Sequence, residues 1–165
     1  MRRILCILLV LLCFAGCSEQ KQIPADSVEV YYVRDKPIYG SSDGLIAPVY
    51  MEAMGRKKDI PFLLNLYFQK TPEAGYVSAF PAGVTLVSYK LEGLTATIVL
   101  SDEIAGLSGM DLTVALSCLT KTVMSLTGCE EIILSAWTKE LDGQSFITLN
   151  KDSYLLLDDS TPPQD

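Results

Sequence analysis

The stretch "VTLVSYKLEGLTATIVLS", residues 84–101, holds two runs of alternating apolar and polar side chains around a central Glu92-Gly93 pair. A period of two marks a half-buried strand, and two such runs split by a short glycine-containing pair predict a β-hairpin with a two-residue turn. With Glu92-Gly93 as the loop, Leu91 faces Leu94. Thr85, Val87, Tyr89 and Leu91 then share one side with Leu94, Ala96, Ile98 and Leu100. The two strands agree on which side is core. Ser88, Lys90, Thr95 and Thr97 fall on the other, as suits the wetted side of an antiparallel sheet.

Working outward, residues 28–33 are rich in strand formers, and residues 45–51 suit a return strand that Pro48 keeps at an edge. Residues 59–68 read as a helix, with Asp59 able to cap it and Pro61 tolerated in its first turn. After the hairpin, Leu112, Ala115, Leu116, Leu119, Val123 and Leu126 form a helical stripe, with Ser108 or Asp111 as cap and Gly128 as the stop. Residues 131–137 are β-branched and apolar at their start, which predicts a strand. Asp142-Gly143 marks a turn before a last strand over 145–149. The order β(β)αββαββ predicts an α+β fold, a mostly antiparallel sheet with two helices on one face, in a single domain over 28–150.

The ends read differently. Arg2-Arg3, the apolar run 4–12 and the small exit Ala15-Gly16 form a targeting segment too short to span a bilayer comfortably, so export is expected with residues 1–16 removed. Phe14-Ala15-Gly16-Cys17 resembles a bacterial lipobox. This implies a diacylglyceryl group on the Cys17 thiol and a chain held at the extracytoplasmic face of the membrane; ordinary secretion is the alternative. Residues 17–27 are a polar tether, and residues 158–165 are expected to be disordered.

Cys6 and Cys13 would leave with the signal peptide. Cys118 and Cys129 remain, but a helix running to about residue 127 sets Cys118 roughly 13 Å from its end. Cys129 follows directly, with no length in which to return to the ~7 Å a disulfide requires. Both are expected to be free, with Cys118 buried.

The formal net charge is −7, and removal of Arg2 and Arg3 takes it two units lower. Such a surface argues against nucleic acid, anionic lipid and teichoic-acid polymers as ligands. Arg56-Lys57-Lys58 reads as a short solvated run in a loop. No histidine occurs, so the commonest general base is missing and no Ser-His-Asp or Cys-His arrangement can be built. Ser108 lacks the spacing of a nucleophile elbow. Two cysteines without histidine make a poor zinc site, and Asp35, Asp43 and Asp142 have no EF-hand spacing, so no metal and no cofactor is expected. Asp102, Glu103, Glu130 and Glu131 are the carboxylates from which a glycosidase pair would be drawn, although solvated charge at strand ends is ordinary. Tyr31, Tyr32, Tyr39, Tyr50, Tyr67, Tyr76 and Tyr89 would either stack on sugar rings or fill the faces of a small sheet, the simpler reading. Trp137, near a strand end, is the candidate exposed contact.

Three stretches resemble the GerMN domain of bacterial sporulation and spore-germination lipoproteins. They are the helix-to-strand linker "AGYVSAFPAGV" over 74–84, the hairpin segment "LEGLTATIVLS" over 91–101, and the helix segment "ALSCLTKTV" over 115–123. The order and spacing of the three, across about 28–149, carry the resemblance. Thr71-Pro72 stands where the family often has Gly-Pro, and one copy of the domain is present. The resemblance implies a lipid-anchored, non-catalytic envelope protein that acts as an assembly or scaffold module. Thr95 and Thr97, on the exposed sheet face or edge, and Trp137 are the residues expected to meet other envelope proteins. Peptidoglycan binding through the aromatic residues is the alternative, and a carboxylate-dependent cell-wall hydrolase is a third.

Overall fold

The computed structural model describes residues 23–36 and 44–152. The segment expected to be a signal peptide, Cys17, most of the expected tether, residues 37–43 with Tyr39 and Asp43, and the tail 158–165 lie outside the described residues. The described elements are β1 (Ser27–Arg34), β2 (Ile46–Glu52), α1 (Ile60–Gln69), β3 (Tyr76–Val77), β4 (Leu86–Glu92), β5 (Thr95–Leu100), a 3₁₀ turn (Asp102–Gly106), α2 (Gly109–Thr127), β6 (Glu131–Ala136) and β7 (Ile147–Asn150). The fold class is α+β, as expected. The strands divide into two sheets, an antiparallel β2-β1-β3 and a mixed β4-β5-β6-β7 in which β5 and β6 run parallel. The parallel pair follows from connectivity: the 3₁₀ turn and α2 form a crossover that returns the chain to the end of the sheet where β5 began.

The hairpin forms, with its turn displaced. Glu92 pairs Thr95, so the two-residue connection is Gly93-Leu94. A turn centred on Glu92-Gly93 would push Glu92 into left-handed backbone. The observed turn places Gly93, at φ 61°, in the first loop position instead. Leu91 therefore faces Ala96 and Tyr89 faces Ile98. A displacement of two residues leaves each side chain on its expected face. One further irregularity does change a face: between Leu86 and Ser88 the register slips, Leu86 pairs Leu100, and Val87 is left exposed. Leu86, rather than Val87, packs against the core. Leu91 and Leu94, at the tip, are exposed as well.

Local signals elsewhere perform as their chemistry dictates. The Asp59 carboxylate accepts from the Phe62 N–H at 3.0 Å, capping α1 with Pro61 in the first turn. Its carboxyl is held below the usual carboxylate range, first by that backbone bond. α2 begins without a side-chain bond from Ser108, and ends at Gly128, whose left-handed backbone (φ 72°) lets its N–H reach Met124 O at 2.8 Å. Asp142 and Gly143 both take positive φ, 49° and 76°, and Leu141 and Gln144 exchange backbone hydrogen bonds across them. Cys118 and Cys129 are free and buried. Burial pushes the Cys118 thiol up to about 12.

One core unites the parts. Val30, Tyr32, Val49 and Met51 of the first sheet, Ala96, Ile98, Leu100, Ile132 and Leu134 of the second, Leu63, Leu64 and Tyr67 of α1, and Ala115, Cys118, Leu119 and Val123 of α2 form a single cluster. β1 poses a problem that apolar packing cannot solve. Its odd-numbered main-chain groups point away from β2, and β3 pairs only Val33 and Arg34. The groups of Tyr31 are met by side chains of both helices. The Tyr31 N–H donates to Thr122 Oγ1 of α2 at 2.9 Å, and the Tyr31 carbonyl accepts from the Tyr67 hydroxyl of α1 at 2.6 Å. Tyr67 is fully buried against Tyr32, with ring centroids 5.0 Å apart, and its hydroxyl is raised well above the usual range by that burial.

Thr122→Val keeps the shape at this point and removes the acceptor of the Tyr31 N–H. We expect a loss of about 1–3 kcal/mol in unfolding free energy, the penalty of leaving a buried backbone donor unpaired. Urea unfolding followed by circular dichroism checks it; an unchanged midpoint would mean that Tyr31 finds another acceptor.

Candidate functional site

Register decides which residues share the outer face of the four-stranded sheet. Ala96, Ile98, Leu100, Ile132, Leu134 and Leu149 are buried, so their alternates face the other way. Across β4-β5-β6-β7 these alternates line up in rows: Glu92, Thr95, Glu131 and Asn150, then Lys90, Thr97, Ile133 and Thr148, then Ser88, Val99 and Ser135. Those of the two central strands are half-buried, and the surface is short aliphatic and hydroxyl side chains with few charges. Lys90 and Glu92 pair at 2.7 Å at the rim, and Thr95 Oγ1 donates to Glu131 Oε1 at a long 3.4 Å.

Thr95 and Thr97 therefore lie on this face, on an interior strand. Trp137 stands just beyond the end of β6 and is 63% exposed. Four residues along the chain from Ile133, it lies about 13 Å from the row of Thr97 at ~3.3 Å per residue. The three candidates are thus a face and its far end rather than one cluster. Phe146, 57% exposed, adds to that end. It precedes β7, and alternation from Leu149 and Ile147 assigns it to the same outer side. That alternation is present in residues 145–149 of the sequence, where Phe146 would have been found by asking which residues oppose the core.

The two residues that follow Trp137 are held by a carboxylate far earlier in the chain. Asp102, which opens the 3₁₀ turn after β5, accepts from the Thr138 N–H at 2.7 Å, the Lys139 N–H at 3.2 Å and the Thr138 hydroxyl. The Thr138 bonds, hydroxyl first, hold its carboxyl below the usual range. Glu103 is lowered too, chiefly by the Ser101 hydroxyl. Asp102 is one of the four carboxylates from which a glycosidase pair would be drawn, and here its oxygens are taken up by these three donors. A carboxylate that accepts three donors from residues 138 and 139 ties that loop to the start of the 3₁₀ turn. Nor can Asp102 and Glu131 act together: Glu131 begins β6, whereas Asp102 bonds two residues beyond its end, so at least the length of β6, about 17 Å, lies between them. Glycosidase carboxylates stand about 5–9.5 Å apart.

Among the described residues no group of three or more acids or thiols gathers as cation ligands would. The tyrosines do not form a platform. Tyr32 and Tyr67 are buried and, with Phe68 and Phe80, build an aromatic cluster at centroid distances of 5.0–5.7 Å. Tyr31, Tyr76 and Tyr89 are half-buried on separate strands, and Tyr50 is barely exposed.

These features define a small two-sheet α+β module with one buried and one presented sheet face. Among solved structures it is similar to the first GerMN domain of the sporulation protein GerM from Bacillus subtilis, with a TM-score of 0.55 and 14% identity over 72% of this chain and 90% of that one. It is similar too to the tandem GerMN domains of the same protein, with a TM-score of 0.55 and 16% identity over 78% of this chain. The match spans 46% of the tandem chain, about half its length. The chain adopts the GerMN-domain fold. No family model and no curated protein matches its sequence.

Asp102→Ala should free the loop that bears Trp137 while leaving the core intact. The chain has a single tryptophan, so its steady-state fluorescence anisotropy reads the loop directly and should fall. Because the folded-state pKa is lowered, the clamp is complete above the ordinary carboxylate value of about 3.9 and is lost as pH falls below it. Wild-type anisotropy should drop over that acid range, and the variant's should already be low. Equal anisotropy in both proteins at pH 7 would remove the clamp.

Proposed function

We propose that this chain is a lipid-anchored, non-catalytic module of the bacterial cell envelope that assembles with other envelope proteins through the outer face of its four-stranded sheet. The observation that carries this reading is the asymmetry of that sheet. One face is sealed in the core, while the other presents Thr95, Thr97, Ile133 and Ser135, with exposed Trp137 and Phe146 at one end. A half-buried face of small side chains with an aromatic end suits contact with a second protein surface, where aromatic residues anchor and charges are few.

The likeness to the GerMN domains of a sporulation protein supports placing the role in the envelope of a spore-forming cell. The lipobox-like segment ending at Cys17 supports attachment at the extracytoplasmic face. The separation of Asp102 from Glu131, together with the absence of histidine, supports a binding rather than a hydrolytic role. Fold likeness alone assigns no partner, because unrelated functions share folds.

Photo-cross-linking from Trp137 and Thr97 in the native host, read by mass spectrometry, tests the proposal. We expect covalent capture of one or two envelope proteins, and about a tenfold loss of capture, equivalent to roughly 1.4 kcal/mol, when Thr95→Asp and Thr97→Asp place charge on the face. Capture of muropeptides instead would favour the glycan-binding reading, for which the Trp137 and Phe146 rings are the motivation. Undiminished protein capture by the charged variant would move the contact off this face.

A further inference from the structure

The run Arg56-Lys57-Lys58 reads in the sequence as solvated charge, but folding gives it a particular place. It lies in the loop between β2 and α1, and that loop is bonded to the residues through which the tether enters the domain. Ala53 N–H donates to Asp26 O at 2.9 Å, Gly55 N–H to Asp26 Oδ2 at 2.5 Å, and Lys57 Nζ to Ala25 O at 2.6 Å. The only run of three cations in an acidic chain is therefore fastened to the end of the domain that lies toward Cys17.

Two apolar side chains stand beside it in water. Met54 is 63% exposed and Ile23, three residues before Asp26, is 58% exposed. Met54 is held at φ 52°, a left-handed conformation that residues other than glycine seldom adopt. Glycine follows it at φ 74°, so the chain turns sharply with methionine at the apex. Strain that presents an apolar side chain to solvent is expected where that side chain has a partner.

The nearby acids are largely engaged. Asp59 accepts from Phe62 N–H and pairs with Arg56 at 2.5 Å, and Asp26 holds Gly55. Glu52 is exposed on the preceding strand end. The lysines are exposed, and Lys57 spends one of its three donors on Ala25.

We propose that residues 54–58 and Ile23 form a membrane-facing surface that rests on anionic phospholipid, with Met54 and Ile23 in the headgroup region and Lys57 and Lys58 on lipid phosphates. The inference rests on the lipid-anchor reading for its geometry. Eight chain steps carry Cys17 to Ala25, a reach of no more than ~30 Å, so a chain anchored at Cys17 keeps this loop close to the bilayer surface. Its effect is orientation. The acidic remainder of the domain is repelled by anionic lipid, while each lysine near that surface contributes about 1 kcal/mol. Opposite forces on the two parts turn this end toward the membrane, independently of the lipid that retains the chain.

The test uses the full chain with an environment-sensitive fluorescent amino acid in place of Met54, and a second protein with the same reporter at Leu91 on the hairpin. Each is mixed with phosphatidylcholine vesicles and with vesicles of three parts phosphatidylcholine to one part phosphatidylglycerol. Flotation on the neutral vesicles reports the anchor alone. We expect a blue shift at position 54 only with phosphatidylglycerol, none at position 91, and reversal in about 1 M salt, where the screening length is ~3 Å. Lys57→Gln with Lys58→Gln should weaken the response about fivefold per lysine. Flotation on both vesicle types without a shift at position 54, or equal shifts at 54 and 91, overturns the inference. A shift at position 54 on anionic vesicles without flotation on neutral ones would support the loop's affinity and remove the lipid-anchor reading instead; neither signal would overturn both.

Discussion

The main-chain groups of Tyr31 hold the architecture together. A strand inside a protein must satisfy each N–H and C=O, and β1 has β2 on one side and only two residues of β3 on the other. Thr122 and Tyr67 fill the gap from two different helices. Because Tyr67 and Thr122 stand on the buried faces of two different helices, the two bonds can form only when both helices are seated. Their directionality then fixes a placement that apolar contact, which is non-directional, would leave loose. The buried hydroxyls of Ser117 and Thr120 add no unmet demand, since they donate to Thr113 O and Leu116 O within their own helix.

That seating determines what is left for function. With the core faces of both sheets closed by helices and by each other, the outer face of β4-β5-β6-β7 is the broad sheet surface offered outward. Its central strands are parallel neighbours, so neither Thr97 nor Ile133 lies on an edge with free backbone groups. A partner at this face would meet side chains rather than add a strand. Asp102 extends the face at one end by holding the segment after β6. Its three accepted hydrogen bonds explain why an exposed tryptophan can occupy a defined position. The opposite charge balance at the 54–58 loop gives the domain a second, chemically different surface, so under the proposed function anchoring and partner contact would not compete for the same residues.

The carboxylates illustrate how far residue type can mislead. Asp102 and Glu131 each sit where an acid might act, and sequence alone does not say how far apart they are. The parallel pairing of β5 with β6 places them at opposite ends of the sheet, beyond the spacing at which two carboxylates share one glycosidic bond. The fold shared with GerMN domains is compatible with this, and with many roles.

Much of the fold was legible in residues 84–101 and in the helical stripe of 112–126. Alternation and 3.6-residue periodicity are imposed by backbone geometry within a few residues. The Asp59 cap, the Gly128 stop, the Asp142-Gly143 turn and the separation of Cys118 from Cys129 were legible for the same reason. What the tertiary structure alone decided are contacts between segments distant in sequence: the parallel pairing of β5 and β6, the grip of Asp102 on Thr138, the docking of Lys57 onto Ala25, and the bonds to Tyr31. Each depends on which hydrogen-bonding groups are left over once the local elements have packed, and that remainder exists only in the assembled fold.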